Sequence, residues 1–202
     1  REYQASIKHF TTGDPKSLTQ KQRQERWYLI GHSWWFLNDF SKAAEAWTNY
    51  LKDTNYNNQE QALKLKYRLA SKFQQVKQFA VSESWFERIV TEHPNSKLAS
   101  ISSFWRAEMA YAASIQKAKI ITPKSSRRIV KLYKAYLRQK NKEHQALTYF
   151  RIGILEQNNE PLESISAFKN YLNTEDKMFK NEVQYRLAFL YIDSKQPKKA
   201  IK

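Results

Sequence analysis

Five short signatures of helical character recur along the chain at a nearly constant interval. They read Tyr28-Leu29-Ile30-Gly31, Tyr67-Arg68-Leu69-Ala70, Trp105-Arg106-Ala107-Glu108, Phe150-Arg151-Ile152-Gly153 and Tyr185-Arg186-Leu187-Ala188. Their first residues are 39, 38, 45 and 35 positions apart. Because each unit of a repeat array buries its apolar face only against its neighbours, this period predicts stacked units with a long shared surface.

Two apolar stripes with the spacing of a helix surround a polar turn in the first complete repeat. The stripe before the turn comprises Trp27, Ile30, Gly31 and Trp34. The stripe after the turn comprises Ala43, Trp47, Tyr50 and Leu51. Since apolar residues at these intervals share one helix face, each repeat is predicted to be a helical hairpin, here turning near Asn38-Asp39. The whole sequence has only three glycines and five prolines, which also favours helix over turn-rich β structure.

These repeats resemble the tetratricopeptide repeat, in which Trp, Leu, Gly, Tyr, Ala, Phe, Ala and Pro follow one another at fixed offsets. The first repeat matches this order with Trp27, Ile30, Gly31, Trp34, Ala43, Trp47 and Tyr50. The second matches it with Leu69, Ala70, Phe73, Ser82, Phe86, Ile89 and Pro94. The resemblance implies an all-α, right-handed superhelix of roughly ten to eleven paired antiparallel helices. A single array is expected over 1–202, with repeats at about 24–56, 62–94, 97–140, 145–174 and 180–202 and the remnant of a preceding repeat at 1–20.

The stretch from Phe86 to Ser96, followed by Ala99 and Trp105-Arg106-Ala107, is similar to bacterial cell-envelope members of this family. These members include the lipoprotein of the outer-membrane β-barrel assembly machine and the periplasmic coordinator of cell constriction. The resemblance implies a periplasmic or cell-envelope location, with the cytoplasm as the alternative. The third repeat departs from it, because nine extra residues lie around Ile121-Thr122-Pro123. Both ends of the chain are interpreted as cuts within a longer array.

The composition argues against several kinds of catalytic or membrane-spanning chain. The sequence contains no cysteine, which removes disulfides, thiolate nucleophiles and cysteine-ligated zinc. Its four histidines, at positions 9, 32, 93 and 144, lie in separate repeats without the spacing of metal ligands. No stretch approaches the roughly 18 apolar residues of a membrane span. A non-catalytic chain without cofactor or metal is therefore expected.

A column of aromatic and arginine residues is the first candidate binding surface. In the tetratricopeptide family the first helix of each repeat lines a concave groove. The candidate groove residues are Tyr28, His32, Trp35, Tyr67, Arg68, Trp105, Arg106, Phe150, Arg151, Tyr185 and Arg186. As a groove they would offer aromatic platforms and guanidinium donors to a peptide or an anionic chain. As packing residues, the aromatics would join adjacent first helices and the arginines would cover the seam with their aliphatic stems.

A basic segment at 115–142 is the second candidate surface. No acidic residue occurs between Met109 and Lys142, and ten lysines and arginines lie there, out of a net charge of +16 for the chain. Helical spacing predicts a basic stripe opposite an apolar face, with Ser125 as the helix N-cap. The stripe comprises Arg127, Lys131, Lys134 and Arg138, with Arg128 beside it, and the apolar face comprises Ile129, Val130, Tyr133, Tyr136 and Leu137. Such a helix can dock on an acidic protein, on phospholipid headgroups or on nucleic acid, or it can serve only as a solvated face.

The favoured function is a non-catalytic scaffold for protein–protein interaction within a larger assembly. Its partner would be another protein with an acidic surface or an extended peptide. Two alternatives stay open: a binder of anionic polymer or nucleic acid through 115–142, and the superhelical arm of a cell-wall lytic enzyme. Replacing the four stripe residues by glutamate is expected to weaken partner binding and to preserve helicity, because glutamate and lysine are similar helix formers.

Overall fold

All regular secondary structure in the described part of the chain is helical. The computed structural model describes residues 2–12, 14–52, 59–118, 120–139 and 143–195. The helices are α1 (Glu2–Thr12), α2 (Gln20–Phe36), α3 (Phe40–Leu51), α4 (Gln59–Gln75), α5 (Phe79–Glu92), α6 (Lys97–Ala118), α7 (Pro123–Leu137), α8 (Gln145–Glu156), α9 (Pro161–Leu172) and α10 (Lys180–Asp193), with a 3-10 helix at Pro15–Ser17. The all-α prediction is confirmed. The predicted repeat ends at 53–56 and 196–202, and Lys119, Lys140 and Lys142 of the basic segment, lie outside the described residues.

The helices form two compact units, residues 1–89 and 90–202, and within each unit successive helices pack in chain order. In the first unit α1 packs on α2, α2 on α3 and α3 on α4. In the second unit α6 packs on α7, α7 on α8, α8 on α9 and α9 on α10. This order of contacts is the one expected of consecutive hairpins. The first hairpin is α2–α3, the second α4–α5, the third α6–α7 and the fourth α8–α9.

Small residues allow the two helices of a hairpin to approach closely. A Cβ atom on Gly31 would lie 2.2 Å from the indole of Trp47, and one on Gly153 would lie 2.4 Å from the ring of Phe168. The equivalent position in the second hairpin is Ala70, whose carbonyl accepts a hydrogen bond of 2.7 Å from the Ser82 hydroxyl. The helices of each hairpin are therefore held at the distance that these small residues permit.

The third hairpin differs from the sequence-based alignment by one residue. Phe104 stacks on His144 with ring centroids 4.1 Å apart, just as Phe150 stacks on Phe179 at 4.3 Å. Phe104 is also buried, whereas Trp105 is only half-buried. Phe104, rather than the predicted Trp105, therefore makes the contacts of the repeated aromatic anchor in this hairpin.

Tyrosine hydroxyls join the third hairpin (α6–α7) and the fourth hairpin (α8–α9) to the helices that follow. The hydroxyl of Tyr136 accepts a hydrogen bond of 2.9 Å from the backbone N–H of His144. The hydroxyl of Tyr171 accepts one of 2.7 Å from the backbone N–H of Phe179. His144 and Phe179 are the N-caps of α8 and α10, so each tyrosine holds the start of the next hairpin.

The nine extra residues of the third hairpin lengthen its helices more than its turn. Helix α6 has 22 residues and α7 has 15, compared with 17 in α2 and 12 in α3. The N-cap of α7 is Thr122, whose side chain accepts a hydrogen bond of 3.2 Å from the Ser125 backbone N–H, and Pro123 follows as the first helical residue. The prediction of Ser125 as N-cap is wrong, because proline at the first helical position starts the helix earlier.

Candidate partner-binding surfaces

The candidate groove residues of the first hairpin pack against its second helix. The ring of Tyr28 lies 4.4 Å from His32 and 5.4 Å from Tyr50. The rings of His32 and Trp35 lie 5.2 Å and 5.5 Å from that of the fully buried Trp47. These ring contacts give Tyr28, His32 and Trp35 a structural role in packing α2 against α3.

His32 is neutral at pH 7 in this setting. Burial lowers the pKa of His32, and the positive charge of Arg68 lowers it further. Its Nε2 atom is buried without a hydrogen-bond partner among the described residues. An uncharged imidazole fits a cluster of aromatic rings at lower cost than an imidazolium.

Two cationic side chains of α4 lie over aromatic rings of the first hairpin. The guanidinium carbon of Arg68 lies 4.4 Å from the centre of the Trp35 ring. The ammonium of Lys72 lies 4.3 Å from the centre of the Phe40 ring. Arg68 is exposed, and neither cation has an acidic partner in the part of the chain that the structure describes. The outer faces of both groups are therefore available to an anionic ligand.

The other candidate groove aromatics differ widely in exposure. Tyr67 packs edge-on against Phe86 at 5.9 Å, and Phe150 is a core residue beside Phe179. Trp105 and Arg106 are half-buried. Tyr185 is 63% exposed on α10. Only some of the predicted column therefore faces solvent.

Arg151 and Arg186 both form intramolecular ion pairs. Arg151 donates to the Glu108 carboxylate through Nε at 3.2 Å and Nη2 at 3.3 Å. Arg186 pairs with Glu182 at 2.6 Å and donates to the Gln157 side chain at 2.7 Å. The carboxylates reduce the charge that either guanidinium can offer to a partner.

The Glu108–Arg151 pair lies at the junction of three helices. The hydroxyl of Tyr133 on α7 donates a hydrogen bond to the carboxylate of Glu108 on α6. The guanidinium carbon of Arg151 on α8 lies 4.4 Å from the centre of the Tyr111 ring. Burial raises the pKa of Tyr133, and the Glu108 charge raises it further. Burial acts to lower the pKa of Arg151, but the Glu108 charge raises it, so this pKa lies above its ordinary value. The hydrogen bonds and the ion pair of this cluster tie α6, α7 and α8 together.

Helix α7 presents its basic residues to solvent as the sequence predicts. The exposed residues are Arg127, Arg128, Lys131, Lys134 and Arg138. The buried residues on the opposite side are Ser126, Ile129, Val130, Tyr133 and Tyr136. The amphipathic pattern of the basic segment thus corresponds to a helix with one face in the core.

A row of glutamates lies beside the basic stripe, which the sequence interpretation did not anticipate. Glu156, Glu160 and Glu163 line a cleft of about 410 Å³ together with Arg127, Lys131, Lys134 and Arg138. Lys134 forms an ion pair with Glu163 across this cleft. The sequence shows three glutamates within eight residues, but they lie on α8, at the N-cap of α9 and on α9, so their spacing does not show that they face α7.

Glu156 is the most buried member of this row. Burial raises the pKa of Glu156, the neighbouring Glu163 and Glu160 raise it further, and Lys134 and the Ser126 hydroxyl lower it. The side chain is 2% exposed. The cleft is therefore a mixed-charge site in which a buried carboxyl group lies behind exposed cations.

Metal and membrane sites do not emerge from the described residues. Within 2–195, apart from the gaps given above, no three histidine or acidic side chains come together as a metal ligand set. No helix in that part of the chain combines the length and apolarity of a membrane span.

Comparisons with solved structures support the fold. No protein-family model matches the chain, and the search of curated proteins returned no similar sequence. The chain is similar to MamA AMB-1, a TPR-like helical repeat protein, with a TM-score of 0.52 at 16% identity, covering 90% of this chain and 87% of MamA. MamA MSR-1 gives 0.50 at 17% identity and covers 88% and 90%. BtubC from P. vanneervenii gives 0.52 at 14% identity and covers 98% and 84%. These likenesses support the predicted all-α superhelical class of tetratricopeptide-like fold.

Proposed function

We propose that this chain is a non-catalytic scaffold that binds another protein through the exposed basic face of α7. The fold it shares with MamA supports a role in protein interaction, since stacked hairpins offer an extended surface. Exposed cations on one helix attract acidic groups and speed their encounter. The partner would place its acidic side chains along the stripe formed by Arg127, Lys131 and Arg138.

The glutamates beside the stripe are the observation that favours a protein over nucleic acid. A phosphate backbone laid along α7 would come close to Glu156, Glu160 and Glu163, which repel it. A protein surface carries both signs of charge, so it can match a cationic row and an anionic row at once. The anionic-polymer alternative is less favoured for this reason.

Neutralising the stripe residues other than Lys134, which form no ion pair within the part of the chain that the structure describes, tests the proposal. The triple variant Arg127→Gln, Lys131→Gln, Arg138→Gln keeps the Lys134–Glu163 ion pair and adds no negative charge. A partner captured from cells of the source organism is purified, and its affinity for the parent and the variant is titrated at low and physiological salt. We expect roughly tenfold weaker binding, chiefly through slower association, and a smaller difference at high salt.

The matched control removes three exposed lysines elsewhere: Lys8→Gln, Lys16→Gln and Lys97→Gln. It has the same net charge as the triple variant, so equal losses in both would mean non-specific attraction and would contradict a site on α7. Generic duplex DNA is titrated in parallel. Tight DNA binding that declines linearly with log salt, together with no protein partner, would favour the anionic-polymer alternative.

We also propose a bacterial cell-envelope location, which is supported only by the resemblance of the stretch from Phe86 to Ser96 to envelope members of the family. Cell fractionation of the full-length protein tests this. Recovery in the cytoplasmic fraction alone would contradict it.

A further inference from the structure

Three side chains form a row along α4 and the turn that follows it, and this row ends at a pocket. Arg68, Lys72 and Val76 follow one another at intervals of four residues, so they share one face of the helix and its C-terminal turn. Successive members are separated by about 6 Å along the helix axis, because each residue advances about 1.5 Å. The row therefore runs from two cations to an apolar residue that is 42% exposed.

The pocket at the end of this row is lined by both apolar and polar residues. Its volume is about 390 Å³, which is enough for one bulky side chain. The apolar lining residues are Leu37, Phe40, Phe73 and Val76, and the polar lining residues are Asn38, Asp39, Ser41 and Gln78. Because Lys72 lies over the Phe40 ring, the second cation of the row stands directly beside the pocket.

The charge around the pocket favours an anionic ligand. Asp39 is the acidic residue of the lining, and its carboxylate already accepts a hydrogen bond from the Lys42 backbone N–H at 3.1 Å and pairs with the Lys42 ammonium at 3.0 Å. These hydrogen bonds lower the pKa of Asp39, so it is ionised and compensated. Arg68 and Lys72 contribute two further positive charges that no described acidic side chain compensates.

We propose that this surface binds an extended protein segment with an acidic–any–acidic–any–apolar pattern. Alternate residues of an extended chain point to the same side and lie about 6.6 Å apart, which matches the step of about 6 Å along the row. Two acidic side chains then contact Arg68 and Lys72, and the apolar side chain enters the pocket beside Val76. The proposal rests on the scaffold function but names a different surface, on the first unit.

Synthetic peptides test the pattern directly. A fluorescently labelled peptide with aspartate at positions one and three and phenylalanine at position five is titrated into the full chain. Two comparison peptides alter one feature each: one keeps the composition but separates the acidic residues by three positions, and the other replaces phenylalanine by serine. We expect the first peptide to bind about tenfold more tightly than either comparison peptide.

Protein variants locate the binding. The double variant Arg68→Gln, Lys72→Gln removes both charges, and with them the contacts of the guanidinium with Trp35 and of the ammonium with Phe40, and keeps a polar side chain at each position. The matched control, Lys8→Gln with Lys16→Gln, removes two exposed charges from α1 and from the 3-10 helix. We expect the Arg68→Gln, Lys72→Gln variant to bind the peptide about tenfold more weakly than the parent, and the control variant to change the affinity less than twofold. Circular dichroism and melting temperature confirm that each variant is folded.

Several results would overturn the proposal. Equal binding of all three peptides would show that neither the spacing nor the pocket matters. Equal losses in both pairs of variants would indicate attraction by net charge alone, and unchanged binding in Val76→Asp would exclude the pocket. A DNA oligonucleotide that displaced the peptide and outcompeted it would assign the surface to nucleic acid instead. Because the probes are synthetic, failure here leaves the test of α7 with its native partner unaffected.

Discussion

Gly31 and Gly153 have no side chain, and this allows α2 to lie close to α3 and α8 to lie close to α9. The rings of Trp47 and Phe168 occupy the space where a Cβ atom would be, at 2.2 Å and 2.4 Å. Both rings are fully buried, so neither can move away without disturbing its own neighbours. The sequence made this contact predictable, because two of the chain's three glycines occupy the same position of the repeat.

Replacement of Gly31 by alanine should destabilise the first hairpin. Overpacking against Trp47 costs about 1–3 kcal/mol, and the better helix propensity of alanine returns about 1 kcal/mol. We expect a net loss of roughly 1 kcal/mol in the free energy of unfolding, measured by urea denaturation. Gly153→Ala is the parallel variant in the second unit. A variant at least as stable as the parent would mean that Trp47 repacks freely.

At the scale of the element, the sequence was enough to predict that the helices form. It was only partly enough to predict which residue takes each position of the repeat and where each helix starts. Apolar spacing identified the hairpins, but Phe104 and Trp105 are adjacent aromatics and either one fits a helical stripe. Only burial distinguishes them: Phe104 is 1% exposed and stacks on His144. The start of α7 was missed for a similar reason, since Thr122 and Ser125 are both good caps and the position of Pro123 decides between them.

The tyrosines that hold the next hairpin give a prediction about these joints. Tyr136→Phe removes one hydrogen bond to the His144 N–H and leaves the ring in the core, so we expect a loss of about 1 kcal/mol in the free energy of unfolding. Hydrogen exchange should accelerate at the first amides of α8. Tyr171→Phe should have the same effect at α10 and none at α8. Uniformly faster exchange over the whole unit would contradict a local role for the hydroxyl.

At the scale of the whole molecule, the repeat period was enough to predict the class of fold. The basic stripe was also predictable, because α7 alone determines which of its residues are exposed. The glutamate row was not, because Glu156 and Glu163 belong to other helices and reach the stripe only through the packing of consecutive hairpins. A local count of charges therefore overstates the excess of positive charge that this surface presents.

Reversing the stripe to glutamate should destabilise the chain, contrary to the expectation from helix propensity. The variant Arg127→Glu, Lys131→Glu, Lys134→Glu, Arg138→Glu places four new carboxylates beside Glu156, Glu160 and Glu163. We expect a lower melting temperature at low salt and partial recovery at high salt, where repulsion is screened. The corresponding glutamine variant is the control and should melt near the parent temperature. A glutamate variant as stable as this control would show that the two rows do not interact.

The tyrosine joints also bear on how such an array can change over time. Each hydroxyl accepts a hydrogen bond from a main-chain N–H, which every residue except proline supplies. The residue at the joint is histidine in one case and phenylalanine in the other, so this contact places no demand on side-chain identity beyond excluding proline. A gene encoding such an array could therefore gain, lose or exchange hairpins by recombination and still form this bond at each new boundary.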